Sequence, residues 1–289
     1  RSRSRSPRRP RARRRGPRRK SPRRSRSPPP PPQRGPTREF DKPGRLESGT
    51  WEEPRLQTGL RLIGDETPHT ARWLYLVADE SRRSFAGYLA SPLSLHQRKD
   101  FFERVRSGTE WKQPFNMSGE KIPRKTGWMV TRGCTCSYRY GGLEVMAQEY
   151  PIWMLELMQV TLPHVGMNDP MEWPNACNLN LYEDGGMAVG WHADDEPLFQ
   201  GKFRDARIVS LSLGCARKFE LRLNWPEQDE QSLWRFVLRD GDIMTMEGML
   251  QKHFQHRVPR ELSANEPRIN LTWRWVMKHT PRCPADRER

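Results

Sequence analysis

The chain has 289 residues, enough for one domain of ordinary to large size plus a tail, and a formal net charge of +16. Of its 51 Lys and Arg, 17 fall in residues 1–38, which hold no acidic residue; the remaining 34 face 35 Asp and Glu, so the excess charge belongs to the tail and the body is near neutral. No apolar run approaches the ~18 residues of a membrane span, and five cysteines at irregular spacing fit an intracellular protein with free thiols better than a disulfide framework.

Residues 1–38 contain RSRSRSP, SPRRSRSP and a proline run from Pro28 to Pro32. Like charges repel and almost nothing there can be buried, which predicts a disordered Arg/Ser/Pro-rich tail over 1–48. The segment resembles the Arg-Ser tails of splicing-associated proteins, which implies RNA contact and a nuclear location, with the cytoplasm as the alternative. A tail of that charge binds polyanions in a salt-dependent, sequence-blind way; the other reading is a solubilising extension. The chain opens on Arg1, so a fragment or processed form is expected.

Leu74, Leu76 and Val77 suggest a short strand, and Leu95 to Val105, with Phe101, Phe102 and Val105 on one side, suggests a helix. Pro123 to Tyr140 is rich in Gly, aromatic and β-branched residues and reads as strands and loops. Within it Cys134 and Cys136 read as two half-buried strand residues rather than a metal pair, because no second Cys/His pair at zinc spacing accompanies them. Pro151 to Leu162 reads as a helix: Trp153, Met154, Leu157, Met158 and Thr161 repeat at helical spacing, and Pro151 can occupy the first turn. After Asn175 come eight short strands divided by turn residues: 178–182, 189–194, 207–213, 218–223, 234–238, 242–247, 255–258 and 268–276. That spacing predicts a mainly β fold with flanking helices, built on a jelly roll, or double-stranded β-helix.

Side chains alternate along a strand. In the last one Arg268, Asn270, Thr272 and Arg274 share one face and Ile269, Leu271, Trp273 and Trp275 the other. With the apolar face packed on helices such as 151–162, the arginines look into the barrel. Buried guanidinium groups need anionic partners, which no adjacent acidic run supplies and a small dicarboxylate would; a solvated edge face is the alternative. Asn178, Asn180 and Tyr182 share a second polar face, and two such faces imply a ligand cavity. His192 and Asp194 stand two apart on a predicted strand, and His256 follows Asp194 by 62 residues. Two imidazoles and one carboxylate are the ligand set of non-haem Fe(II). His253, on a strand, would face away from His256.

The stretch NLNLYEDGGMAVGWHADDE, then SLSLG, QHRVPRE and PRINLTWRW, resembles the AlkB family of Fe(II)/2-oxoglutarate dioxygenases, most of all its repair-type nucleic-acid demethylases. The likeness is dense over 175–276, looser around Pro123, Arg124, Trp128 and Tyr138 to Gly141, and absent over 1–70. It divides the rest of the chain into an N-terminal extension with a substrate-recognition region (49–150) and a dioxygenase core (151–280). It implies that His192, Asp194 and His256 hold Fe(II). It also implies that Asn180, Tyr182, Arg268 and Arg274 hold 2-oxoglutarate, with Asn270 and Thr272 in support. Glu196, two beyond Asp194 on the same strand face, would contact the exocyclic amine of a base. Tyr140 and His192 would sandwich that flipped base, with Tyr138 hydrogen bonding nearby, and Arg124 would touch the phosphate backbone.

The expected activity is oxidative demethylation of N-alkylated bases in DNA or RNA, single-stranded or flipped from a duplex, with O2 consumed and succinate, CO2 and formaldehyde released. A monomer without membrane contact is expected. The alternatives are a side-chain hydroxylase or demethylase of the same fold acting on protein, and a catalytically inert RNA-binding protein working through its tail.

Overall fold

The computed structural model describes residues 52–68 and 71–286; the predicted tail lies outside them. All of these fall in one compact unit, Pro43–Arg289, and among them no helix is long and apolar enough to cross a membrane. Two single-turn helices, α1 (Arg55–Thr58) and α2 (Ile63–Glu66), precede strands β1 (Leu74–Asp79) and β2 (Ser84–Leu89) and helix α3 (Leu95–Gly108). Then come β3 (Lys125–Val130), β4 (Tyr138–Tyr140), β5 (Leu143–Val145), β6 (Gln148–Glu149) and helix α4 (Ile152–Thr161). The remainder is β7 (Ala176–Tyr182), β8 (Val189–His192), β9 (Ala206–Gly214), β10 (Arg217–Leu223), β11 (Leu233–Leu238), β12 (Ile243–Gly248), α5 (Leu250–His253), β13 (Phe254–Val258) and β14 (Arg268–Arg274).

The strands form an eight-stranded sheet in the order β1-β2-β12-β9-β14-β7-β3-β6, a four-stranded sheet β11-β10-β13-β8, and the hairpin β4-β5. Pairing is antiparallel except between β3 and β6. Mainly β structure with flanking helices is therefore what the residues build. Alternation decides what each face meets. On the large sheet Leu179, Leu181, Leu211, Ile269, Leu271 and Trp273 point outward and form one core with Phe101 and Val105 of α3 and Met154, Leu157 and Met158 of α4. Ser94 and Gln97 start α3 with a reciprocal capping box, each side chain bonding the other's backbone N–H. The opposite face supplies Tyr182, Ile208, Met244 and Met246 to a second core shared with Phe219, Leu221, Phe254 and Val258 of the small sheet.

Between the sheets, register builds a polar ladder. Asn180 lies opposite Asn270 and Asn178 opposite Thr272, while Ser212 and Ser210 flank them on β9. Asn270 donates to Ser210 Oγ at 2.8 Å and to the Leu211 carbonyl at 3.0 Å, and Thr272 donates to Asn270 Oδ1 at 3.2 Å. A ladder whose members bond one another can be buried at little cost and keeps its shape.

Three local readings change. Cys134 and Cys136 are not in a strand but in the loop between β3 and β4, where both are buried. The strand through His192 stops there, so Asp194 and Glu196 lie past its end. His253 closes the single turn of α5 and meets Glu52 Oε1 at 2.6 Å, so helix geometry rather than strand alternation turns it from His256. That turn depends on Gly248, whose φ is +70° and whose Cβ, if present, would stand 2.1 Å from the Arg83 carbonyl oxygen.

Leu271 is fully buried between sheet and helices, whereas Leu155 on the outer side of α4 is 46% exposed. Leu271→Ala is expected to destabilise by about 2–5 kcal/mol, and Leu155→Ala by no more than about 0.5 kcal/mol. Urea unfolding of the two variants checks the assignment of the inner face.

Candidate metal and dicarboxylate site

β13 pairs with β8 so that His256 lies directly opposite His192, and the ring centroids are 4.2 Å apart. Asp194 approaches both: its Oδ1 is 3.9 Å from His192 Nε2 and its Oδ2 is 3.8 Å from His256 Nε2. The three side chains bring one ligand atom each within 4.8 Å of the others. His192 Nδ1 lies 2.8 Å from the Gly190 carbonyl. A carbonyl only accepts, so Nδ1 carries the proton and Nε2 turns a lone pair to the shared centre.

Asp194 is off the strand, and two groups hold it there. Its backbone N–H donates to Gln251 Oε1 of α5 at 2.8 Å, and its Oδ2 accepts from Arg274 Nη2 at 3.0 Å. Burial alone would raise this carboxyl, but Arg274 first and the two imidazoles after it hold it down at about 2. Burial and the neighbouring His192 lower His256 to about 3, and burial lowers His192 as well. The centre therefore offers one anion and two neutral imidazoles near neutral pH. That donor set suits a divalent cation bound on one side only.

The two arginines of β14 differ. Arg274 has Asp194, so its anionic partner is a protein carboxylate distant in sequence, which adjacent residues could not reveal. Arg268 has none. It is 1% exposed, its guanidinium lies over the Tyr182 ring at 5.4 Å, and Nη2 donates to Ser212 Oγ at 2.8 Å. Its Nε and Nη1 find no protein acceptor among the described residues. Burial lowers it to about 10, and Arg217, packed on the same Tyr182 ring, acts in the same direction. A buried cation without an anion is several kcal/mol out of balance, and a dicarboxylate end group would restore it with a two-pronged bond. Arg217, unnoticed in the sequence, donates to the Asp184, Met187 and Pro259 carbonyls and closes that end of the barrel.

One cleft gathers most of the predicted residues. Arg124, Tyr138, Tyr140, Asn180, Tyr182, His192, Asp194, His256, Asn270, Thr272 and Arg274 line it, while Arg268 lies behind Tyr182. Arg124 departs from the expected contact with phosphate. It is buried, donates to Asn180 Oδ1 at 2.8 Å and to the Tyr140 hydroxyl at 3.2 Å, and lies over the Tyr140 ring. Its guanidinium serves the cleft wall because Asn180 and Tyr140 satisfy it there. Asn180 is correspondingly engaged by Arg124. Tyr138 is buried, stacks on Trp128 at 5.0 Å, and donates to Glu196 Oε1 at 2.7 Å. The second Glu196 oxygen has no partner among the described residues. Burial and the nearby Asp194 raise Glu196 to about 7. Gln251 carried no signal in the sequence: its role exists only because α5 brings it under Asp194.

Glu196 gives a pH test. In the unfolded chain it ionises near its ordinary 4.5; folded, it keeps its proton up to about 7. Between those values the folded state binds more protons, so the Glu196 contribution is fully present below 4.5 and is lost as pH rises through 7. Glu196→Gln escapes that loss. The stability of the variant relative to the parent, from urea unfolding of the metal-free protein, is expected to climb over this interval; a flat difference would contradict the crowding of Glu196 against Asp194.

Comparison with known proteins gives the following. A family model described as the 2OG-Fe(II) oxygenase superfamily matches residues 85–274. "Alpha-ketoglutarate-dependent dioxygenase alkB homolog 3" of Bos taurus is 31% identical over 192 residues, 64% of this chain and 63% of that protein. "DNA oxidative demethylase ALKBH2" of Arabidopsis thaliana is 26% identical over 220 residues, 66% of each chain. A solved structure described as "The structure of OsALKBH1" aligns with a TM-score of 0.46 at 16% identity, over 66% of this chain and 96% of that one. The chain spans less than two thirds of the length of the alkB homolog 3 proteins it matches.

Proposed function

This chain belongs to the 2OG-Fe(II) oxygenase superfamily, in its AlkB-like branch, and from that premise we propose that it oxidatively demethylates N-alkylated bases in DNA or RNA. Fe(II) and 2-oxoglutarate, when bound, supply the oxidation of a substrate C–H bond by O2 coupled to loss of CO2 and formation of succinate. The observation that carries the reading is Arg268: a fully buried guanidinium whose Nε and Nη1 have no protein acceptor among the described residues, packed against Tyr182, which lines the cleft that presents His192, Asp194 and His256.

The protein's own part is geometric and electrostatic. His192 and His256 present Nε2, and Asp194 presents a carboxylate that Arg274 keeps ionised and in place. Arg268 takes the distal carboxylate of 2-oxoglutarate, with Tyr182 packed on it and the Asn270–Thr272–Ser210 ladder fixing the floor. In the cleft wall Tyr140 packs on Tyr138, ring centroids 4.8 Å apart, and Tyr138 stacks in turn on Trp128; Tyr140 is the ring left for a base, and Arg124 holds it by its hydroxyl. Glu196, held by the Tyr138 hydroxyl at 2.7 Å, would accept from an exocyclic amine by turning its buried second oxygen into the cleft, which its side chain does not line here. A base must leave its stack to reach such a cleft, so single strands and weakened pairs are the preferred substrates. The hydroxymethylated nitrogen then sheds formaldehyde.

The test is turnover on oligonucleotides carrying 1-methyladenine, 3-methylcytosine or N6-methyladenine in both sugar backbones, with succinate and formaldehyde measured together. Turnover on at least one is expected, and it disappears in His192→Ala. Arg268→Ala is expected to raise the KM for 2-oxoglutarate by at least about tenfold, the effect of orphaning a buried charge partner. No product from any oligonucleotide, with product from methylated peptides instead, would shift the substrate to protein. Removal of residues 1–48 separates the remaining alternative: turnover on short strands is expected to persist with weaker affinity at low salt, whereas a tail-only binder would lose all function.

A further inference from the structure

The cleft makes no use of Cys134 and Cys136, yet the fold brings them against His279 and Cys283 from the segment after β14. We propose that Cys134, Cys136, His279 and Cys283 form a structural zinc site that ties the loop before Tyr138 to the chain's C-terminal segment.

The four donor atoms all lie within 4.8 Å of one another. His279 Nδ1 is 3.3 Å from Cys283 Sγ, 3.5 Å from Cys136 Sγ and 3.7 Å from Cys134 Sγ, and Cys283 Sγ is 3.8 Å from Cys134 Sγ. A tetrahedral zinc with bonds of about 2.3 Å to sulfur and about 2.0–2.1 Å to nitrogen would set edges of roughly 3.8 Å between sulfurs and roughly 3.6 Å from sulfur to nitrogen. The measured edges match both.

Thiol packing without a cation does not account for this arrangement. An imidazole nitrogen carries one proton or one lone pair, so it can serve one of the three sulfurs that crowd it. A cation at the centre serves all four. The cysteines are free of disulfides, and Cys136 and Cys283 are fully buried, with Cys134 8% and His279 9% exposed. Two backbone N–H groups aim at sulfur, Thr135 at Cys283 (3.4 Å) and Thr280 at Cys136 (3.3 Å), the support that thiolate ligands receive around a metal. Three thiolates with one imidazole select zinc over the harder cations that suit carboxylates, and four protein ligands leave no open position, which makes the site structural. Loading it releases whatever thiol protons the ligands still hold.

The C-x-C pair lacked a partner in sequence because its partner stands 143 to 149 residues away. The consequence reaches the cleft. Tyr138 follows Cys136 by two residues, and the Cys136 carbonyl accepts from Trp128 Nε1 at 2.8 Å, the same Trp on which Tyr138 stacks. Bound zinc would tie the start of the hairpin whose Tyr138 and Tyr140 line the cleft.

Elemental analysis of the whole 289-residue chain tests the site, with His192→Ala/His256→Ala as background so that metal at the other centre does not contribute. About one zinc per chain is expected after exhaustive dialysis, nearly all of it lost in Cys134→Ser/Cys136→Ser and retained in Cys215→Ser. Cobalt(II) added to the metal-free protein is expected to give thiolate charge-transfer bands and the intense ligand-field absorption of a tetrahedral centre, a readout that stands even if the double serine variant does not fold. A folded parent that retains no zinc and shows no such cobalt spectrum would overturn the proposal, as would undiminished zinc in the double variant. Failure of the demethylase reading would leave these outcomes unchanged.

Discussion

A buried carboxylate shared among two imidazoles and a guanidinium is the constraint on which the site rests. Asp194 is 3% exposed and burial pushes it toward the neutral form; Arg274 above all opposes that and keeps the anion. Arg274 comes from the end of β14 and Asp194 from beyond β8, while His192 and His256 are cross-strand neighbours of the small sheet. One ion pair therefore fixes the large sheet against the small one where a metal would bind. Either partner alone would be a buried, uncompensated charge, a penalty of several kcal/mol. The site and the closure of the barrel are thus one electrostatic arrangement.

The second guanidinium shows the same logic left incomplete. Arg268 and Arg274 share a face of one strand, but only Arg274 has a carboxylate within reach. At the other end Arg217 and Arg268 both lie over Tyr182; Arg217 has three backbone carbonyls and Glu261 at 3.8 Å, while Arg268 has, among the described residues, only the Ser212 hydroxyl. A protein tolerates this when an anion arrives to complete it. The distance between a satisfied and an unsatisfied arginine along β14 separates the metal ligands in the cleft from the unanswered guanidinium behind Tyr182.

How much of this could be read beforehand follows from what periodicity sees. The two-residue alternation of β7 and β14 separates Asn178, Asn180 and Tyr182, and Arg268 to Arg274, from their apolar neighbours, and both faces lie as that pattern requires. The helix from Ile152 and the eight later strands follow from hydrophobic spacing and turn residues, with ends moved by one or two positions. Periodicity says nothing of partners far along the chain. Asp194 was read as a strand neighbour of His192, but it is placed by Gln251 and Arg274, 57 and 80 residues away. Arg124 is expected from the resemblance to touch the phosphate backbone, and no local feature discloses that Asn180 and Tyr140 will enclose it. Cys134 and Cys136 were read as strand residues for the same reason: His279 and Cys283 meet them only in the folded chain.

The central claim is that the Arg268 end and the His192–Asp194–His256 centre form one receptor for a chelating dicarboxylate beside a ferrous ion. Its most direct measurement is an anaerobic titration of the metal-free protein with Fe(II) and 2-oxoglutarate, followed by visible absorption. The account predicts a metal-to-ligand charge-transfer band that appears only when both are present and saturates at one equivalent of each. Absence of that band from folded protein at saturating concentrations of both would contradict it.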